Sequence, residues 1–116
     1  MDAGTLTRTF FEAFSRRDLD AMGSMLADDV SYLMPGLQPM NGRDQVLGMY
    51  RTIIETIGDA QQQIFDFVAD GNMAAFTVSA PGGDEAAVAI FHEWSDDGKL
   101  LRYRGYANIA PPGFDD

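Results

Sequence analysis

Residues 61–110 read QQQIFDFVADGNMAAFTVSAPGGDEAAVAIFHEWSDDGKLLRYRGYANIA, and this half of the chain decides the fold. Runs rich in β-branched and aromatic residues alternate with turn signals. Gln61 to Ala69 leads into Asp70-Gly71-Asn72, a hairpin turn. Met73 to Ala80 stops at Pro81-Gly82-Gly83. Glu85 to Trp94 runs into a second tight turn at Asp96-Asp97-Gly98, and Lys99 to Ala110 is the last and longest run. The pattern is a meander of strands.

Outward from this meander, the first half of the chain is helical. Leu6, Phe10, Ala13 and Phe14 recur at the spacing of one helix face. Arg16 and Arg17 stand at its end, where cations suit the helix dipole. Asp18 reads as the N-cap of a second helix whose apolar face is Leu19, Met22, Met25 and Leu26. Asp28-Asp29 interrupts the pattern, and Val30 to Met34 reads as a short strand. Pro35 to Gly42, with two prolines and two glycines, reads as a loop. A third helix runs from about Arg43 to Ile57, with Val46, Tyr50, Ile53 and Ile57 on its stripe and Gly58 as its stop. Helices first and strands afterwards is the α+β pattern. Strands that curl around helices leave a hollow on the concave side, the natural place for a ligand.

The bulk numbers narrow the function classes. With 116 residues the chain is read as one domain, 1–116, with a core from about residue 6 to 109. An apolar content of 46% fits a packed globule. There is no cysteine, which rules out disulfides, thiolate metal sites and a cysteine nucleophile. The net charge of −10 repels phosphate backbones and anionic bilayers, so neither nucleic acid nor membrane is an expected partner. No apolar run approaches a membrane span, and Met1-Asp2-Ala3-Gly4 lacks the layout of a signal peptide. The expectation is a soluble, cytoplasmic protein.

Several segments are familiar in their order and spacing. Phe10-Phe11-Glu12-Ala13-Phe14-Ser15-Arg16-Arg17-Asp18-Leu19-Asp20 resembles the first helix junction of NTF2-like proteins, and Leu26-Ala27-Asp28-Asp29-Val30 resembles their entry to the first strand. Gly42-Arg43-Asp44 resembles the start of their third helix. Asp97-Gly98-Lys99-Leu100 and Arg104-Gly105-Tyr106-Ala107-Asn108 resemble the turn before their last strand and that strand's end. Over nearly the whole chain the sequence resembles the SnoaL-like branch of the NTF2-like superfamily. The resemblance implies a cone of three N-terminal helices packed on a curved, mostly antiparallel sheet, and dimerisation through the outer sheet face. It does not select an activity, because the fold hosts isomerases, cyclases, dehydratases, epoxide hydrolases and non-catalytic binders.

Specific chemistries can be tested against the residues. Ketosteroid isomerases of this superfamily need a carboxylate base just before the first-strand proline and a tyrosine on the first helix. Here Met34 precedes Pro35, and Phe10 stands at the tyrosine place. The last strand often supplies an aspartate in such folds. This chain has Asn108, an amide that can orient a substrate or water but cannot exchange a proton at neutral pH. His92 is the single histidine and the one side chain that ordinarily titrates near neutrality. His92 and Asn108 are therefore the catalytic candidates. Tyr32, Met34, Tyr50, Trp94 and Tyr106 are the ligand-binding candidates, because amphipathic aromatics and methionine suit an adaptable apolar pocket. Strand alternation groups Val88, Ile90, His92 and Trp94 on one face. In the last strand it separates Arg102, Arg104, Tyr106 and Asn108 from the more apolar Tyr103, Gly105, Ala107 and Ile109. It does not say which set faces inward. One histidine among scattered carboxylates lacks metal-ligand spacing, and no phosphate loop or nucleophile elbow is present, so no metal or cofactor is called for. The expected partner is a small apolar molecule, acted on by isomerase, cyclase, dehydratase or hydrolase chemistry. The alternative is a non-catalytic binder or a dimeric interaction module.

Overall fold

A computed structural model describes residues 2–107. Its elements are α1 (Ala3–Ser15), α2 (Leu19–Ser24), β1 (Leu26–Leu33), β2 (Met40–Asn41), α3 (Arg43–Ile57), β3 (Ile64–Asp70), β4 (Met73–Ser79), β5 (Ala86–Trp94) and β6 (Leu100–Ala107). The six strands form one sheet in the order β2-β1-β6-β5-β4-β3. β1 and β6 run parallel, and every other neighbouring pair is antiparallel. This is an α+β fold with a mixed sheet.

The helix boundaries follow local chemistry. Asp2 accepts a hydrogen bond from the Thr5 backbone and starts α1, and Asp18 does the same for α2 through Ala21. Gly58, at φ 60°, ends α3. α1 ends in a Schellman motif, with Asp18 N–H on the Ala13 carbonyl and Arg17 N–H on that of Phe14. Its left-handed position is held by Arg17, at φ 61°, where glycine is usual. The Arg17 guanidinium reaches the carbonyls of Phe14, Gly58 and Ala60, so it ties the end of α1 to the end of α3.

Two expectations are corrected here. Asp28 and Asp29 do not precede the first strand; they lie within β1, whose register against β6 shifts between Leu26 and Ser31. The irregularity lets both acidic side chains face outward while Leu26 and Val30 stay buried. The segment read as all loop contains β2, where Met40 pairs with Tyr32 and is itself buried. Backbone pairing, which leaves little trace in two residues of sequence, accounts for it.

The core lies between the helices and the concave sheet face. α1 contributes Leu6, Phe10, Ala13 and Phe14, and α3 contributes Val46 and Tyr50. The sheet contributes Val30, Tyr32, Phe76, Val78, Ile90, Trp94, Leu100 and Tyr103. Gly105 belongs to this face for want of space. A Cβ there would lie 3.3 Å from Pro35 Cδ, so the absent side chain lets the Met34-Pro35 turn settle over the sheet.

Candidate functional site

Between α1, α3 and the concave sheet the packing leaves a hollow of about 310 Å³. α1 supplies Phe10, Phe11 and Phe14, and α3 supplies Tyr50 and Ile53. Met34 and Pro35 close one side. β4 adds Phe76 and Val78, β5 adds Val88, Ile90 and His92, and β6 adds Tyr103. Gln62, Ala80 and Pro81 complete the wall. No acidic residue, lysine or arginine lines it among the described residues. The alternation of β5 carries His92 inward, and the register sets Tyr103 directly opposite it on β6. The register shift between Glu93 and Trp94 allows Leu100 and Tyr103, three positions apart, both to point into the core.

His92 is 2% exposed and sits in an aromatic cage. The ring centroids of Phe76, Tyr103, Trp94 and Phe10 lie 5.2, 5.4, 5.8 and 5.9 Å from its own. Its Nδ1 is 3.0 Å from Thr7 Oγ1, and Trp94 Nε1 donates to the same oxygen at 3.0 Å. His92 Nε2 has no hydrogen-bond partner among the described residues. Burial pushes its pKa down to about 3, so the ring is neutral across the physiological range. A neutral imidazole in this cage can make a hydrogen bond but is a poor proton acceptor.

A second polar cluster lies beside it. Tyr32 and Tyr50 hydroxyls are 3.0 Å apart, and Tyr103 stacks on Tyr32 with ring centroids 4.2 Å apart. Burial raises the pKa of all three phenols, so they too remain neutral hydrogen-bonding groups.

The sequence candidates are thus distributed over different places. Met34, Tyr50 and His92 line the hollow. Tyr32 and Trp94, each 1% exposed, stand behind the lining and hold its polar groups through Tyr50 and Thr7. Tyr106 is on the opposite sheet face, 52% exposed, because Tyr103 and Gly105 take the inward positions of β6. Its place is outside the hollow, not at a ligand within it. Asn108 lies outside the described residues. Thr7 and Tyr103 are not among the candidates the sequence offers. A threonine inside the apolar stripe of α1 was the available signal for Thr7; for Tyr103 the direction of β6 had first to be known. Among the described residues no group of three or more His, Asp or Glu side chains is placed to hold a metal ion.

The cone and its aromatic hollow define a class of small pocket-bearing α+β proteins. A SnoaL-like domain model matches residues 7–103, and the chain belongs to this SnoaL-like family of the NTF2-like superfamily. Among solved structures it is similar to a provisionally named ketosteroid isomerase from Kribbella flavida, at 30% identity and a TM-score of 0.75, over 97% of this chain and 84% of that one. It is also similar to a SnoaL-like protein of unknown function from Burkholderia thailandensis, at 19% identity and a TM-score of 0.79, over 92% and 94%. An LEH-like epoxide hydrolase of M. tuberculosis shares the fold at 22% identity and a TM-score of 0.70, over 91% and 82%. No curated protein matches the sequence.

Proposed function

We propose that this protein binds a small, uncharged, largely apolar molecule in the hollow and holds it without proton-transfer chemistry. The observation that carries this reading is that no charged side chain lines the hollow among the described residues, while its one histidine is held neutral by burial. The isomerase name of the Kribbella flavida relative implies proton transfer next to a carbonyl. Here Met34 occupies the wall where a carboxylate base is expected, and Phe10 stands in place of a hydroxyl donor.

The test is a thermal-shift series with two-ring neutral aromatics, such as tetralone and benzophenone, against naphthoate. A ligand at a hundred times its Kd adds about 2.7 kcal/mol, an upward shift on the order of 10 °C. The neutral compounds are expected to stabilise the protein, and the anion is not, since nothing in the wall pairs its charge. Val88→Phe, which fills the hollow, should remove the shift while leaving the fold. Tetralone incubated with the protein in deuterated water should exchange its α-hydrogens no faster than alone. Accelerated exchange would overturn the non-catalytic reading.

We also propose a homodimer built on the outer sheet face. Val68, Met73, Phe91 and Tyr106 are exposed there, and Phe91 and Tyr106 pack edge to face at 6.1 Å. The Arg102–Glu93 ion pair lies beside them. An apolar band of this kind, rimmed by charge, is the usual character of a protein interface.

A further inference from the structure

We propose that the floor of the hollow recognises a neutral carbonyl oxygen, which accepts a hydrogen bond from His92 Nε2–H. This rests on the hollow being the ligand site and adds the chemical class of the ligand's polar group.

The direction of the hydrogen bonds carries the inference. An indole nitrogen can only donate, so Trp94 Nε1–H occupies one lone pair of Thr7 Oγ1. The hydroxyl proton then has two possible acceptors. One is the carbonyl a turn back on the helix, which is where Thr9 sends its own proton, to Thr5 O at 2.9 Å. Thr7 makes no such bond to Ala3. The other acceptor is His92 Nδ1, 3.0 Å away. The relay therefore runs Trp94 to Thr7 to His92, and an imidazole that accepts at Nδ1 carries its proton at Nε2. That N–H is buried and without a partner among the described residues, in a ring that belongs to the wall of the hollow. A buried donor with no acceptor is costly, and a ligand oxygen that reaches it from the hollow would offset that cost. The surroundings select the acceptor. Phe10, Phe76 and Tyr103 crowd the ring, so an ionised carboxylate would be desolvated with no cation to pair it. A ketone, ester or lactone oxygen accepts the bond at far lower desolvation cost.

Two measurements test this. The first needs no ligand: heteronuclear NMR of the imidazole nitrogens in uniformly labelled protein at neutral pH. It is expected to show an N–H at Nε2 and a bare Nδ1, and the reverse assignment would overturn the proposal. Thr7→Ser keeps the hydroxyl and should preserve this pattern, whereas Thr7→Val should lose it.

The second compares benzophenone with diphenylmethane, which has nearly the same shape and no carbonyl. The expected result is binding of benzophenone about tenfold tighter, the effect of one buried hydrogen bond. In His92→Phe the ratio should fall to about one. Equal affinities in the unaltered protein would overturn the carbonyl anchor and leave the hollow as a ligand site. Binding of neither compound would overturn both readings.

Discussion

At the scale of single residues, His92 departs furthest from its ordinary behaviour. Its pKa is held at about 3 in the folded protein, against 6.5 for an unperturbed histidine, because burial penalises the charged ring. Between these values the unfolded chain binds a proton that the folded one refuses. Stability is therefore fully present above about pH 6.5 and is lost as pH falls toward 3, by about 1.4 kcal/mol per unit. The comparison that isolates this is the native protein against His92→Gln by denaturant unfolding at a series of pH values. Carboxylates titrate alike in both and cancel. The stability difference between the two should move against the histidine form by about 2–3 kcal/mol between pH 7.5 and 4.5. A parallel pair of pH profiles would show that the ring is reachable by protons in the folded state.

At the scale of elements, the junction between α1 and α2 joins two opposing effects at Arg17. A non-glycine residue in the left-handed region costs about 1–2 kcal/mol, and the guanidinium offsets it through bonds to the carbonyls of Phe14, Gly58 and Ala60. Arg17→Ala keeps the strain and loses the bonds, so it should destabilise by about 2 kcal/mol. Arg17→Gly loses the same bonds but relieves the strain, and should recover about 1 kcal/mol of that. Thermal or urea unfolding of the two variants checks the order. If alanine proved no worse than glycine, the backbone strain would not be a factor. The same residue also shows a limit of helix-end rules. A cation at this end suits the dipole, but its main partners are carbonyls at the far end of α3.

At the scale of the whole molecule, the sheet has two faces of different character. The concave face holds the hollow, and the outer face leaves Val68 67% exposed on β3, with Phe91 on β5 and Tyr106 on β6 also exposed. If the outer face joins two copies, the native protein sediments as a dimer. Phe91→Lys or Val68→Lys should then shift it to monomer without disturbing the hollow, because neither side chain belongs to the inward set. A native protein that sediments as a monomer at tens of micromolar would rule this dimer out. Ligand affinity measured alongside separates the two faces: it should be unchanged in these variants and abolished in Val88→Phe.

The sequence by itself determined the α+β class, the order of the helices and of every strand but β2, the caps at Asp18 and Gly58, and the family segments from Phe10 to Asn108. These are local properties: helical spacing, turn chemistry and capping act over a few residues and leave their pattern in the order of the chain. Of the candidates it named, Met34, Tyr50 and His92 line the hollow. What only the tertiary structure decided was the side on which each strand face lies. Parity in β6 left Tyr103 and Tyr106 equivalent, and the pairing of Tyr103 with His92 broke the tie, sending Tyr106 outward and Tyr103 into the wall. It likewise revealed that the hydroxyl of Thr7, 85 positions from His92, lies 3.0 Å from Nδ1 of that ring. Contacts across such distances arise from packing between α1 and β5, and no spacing rule within either segment encodes them.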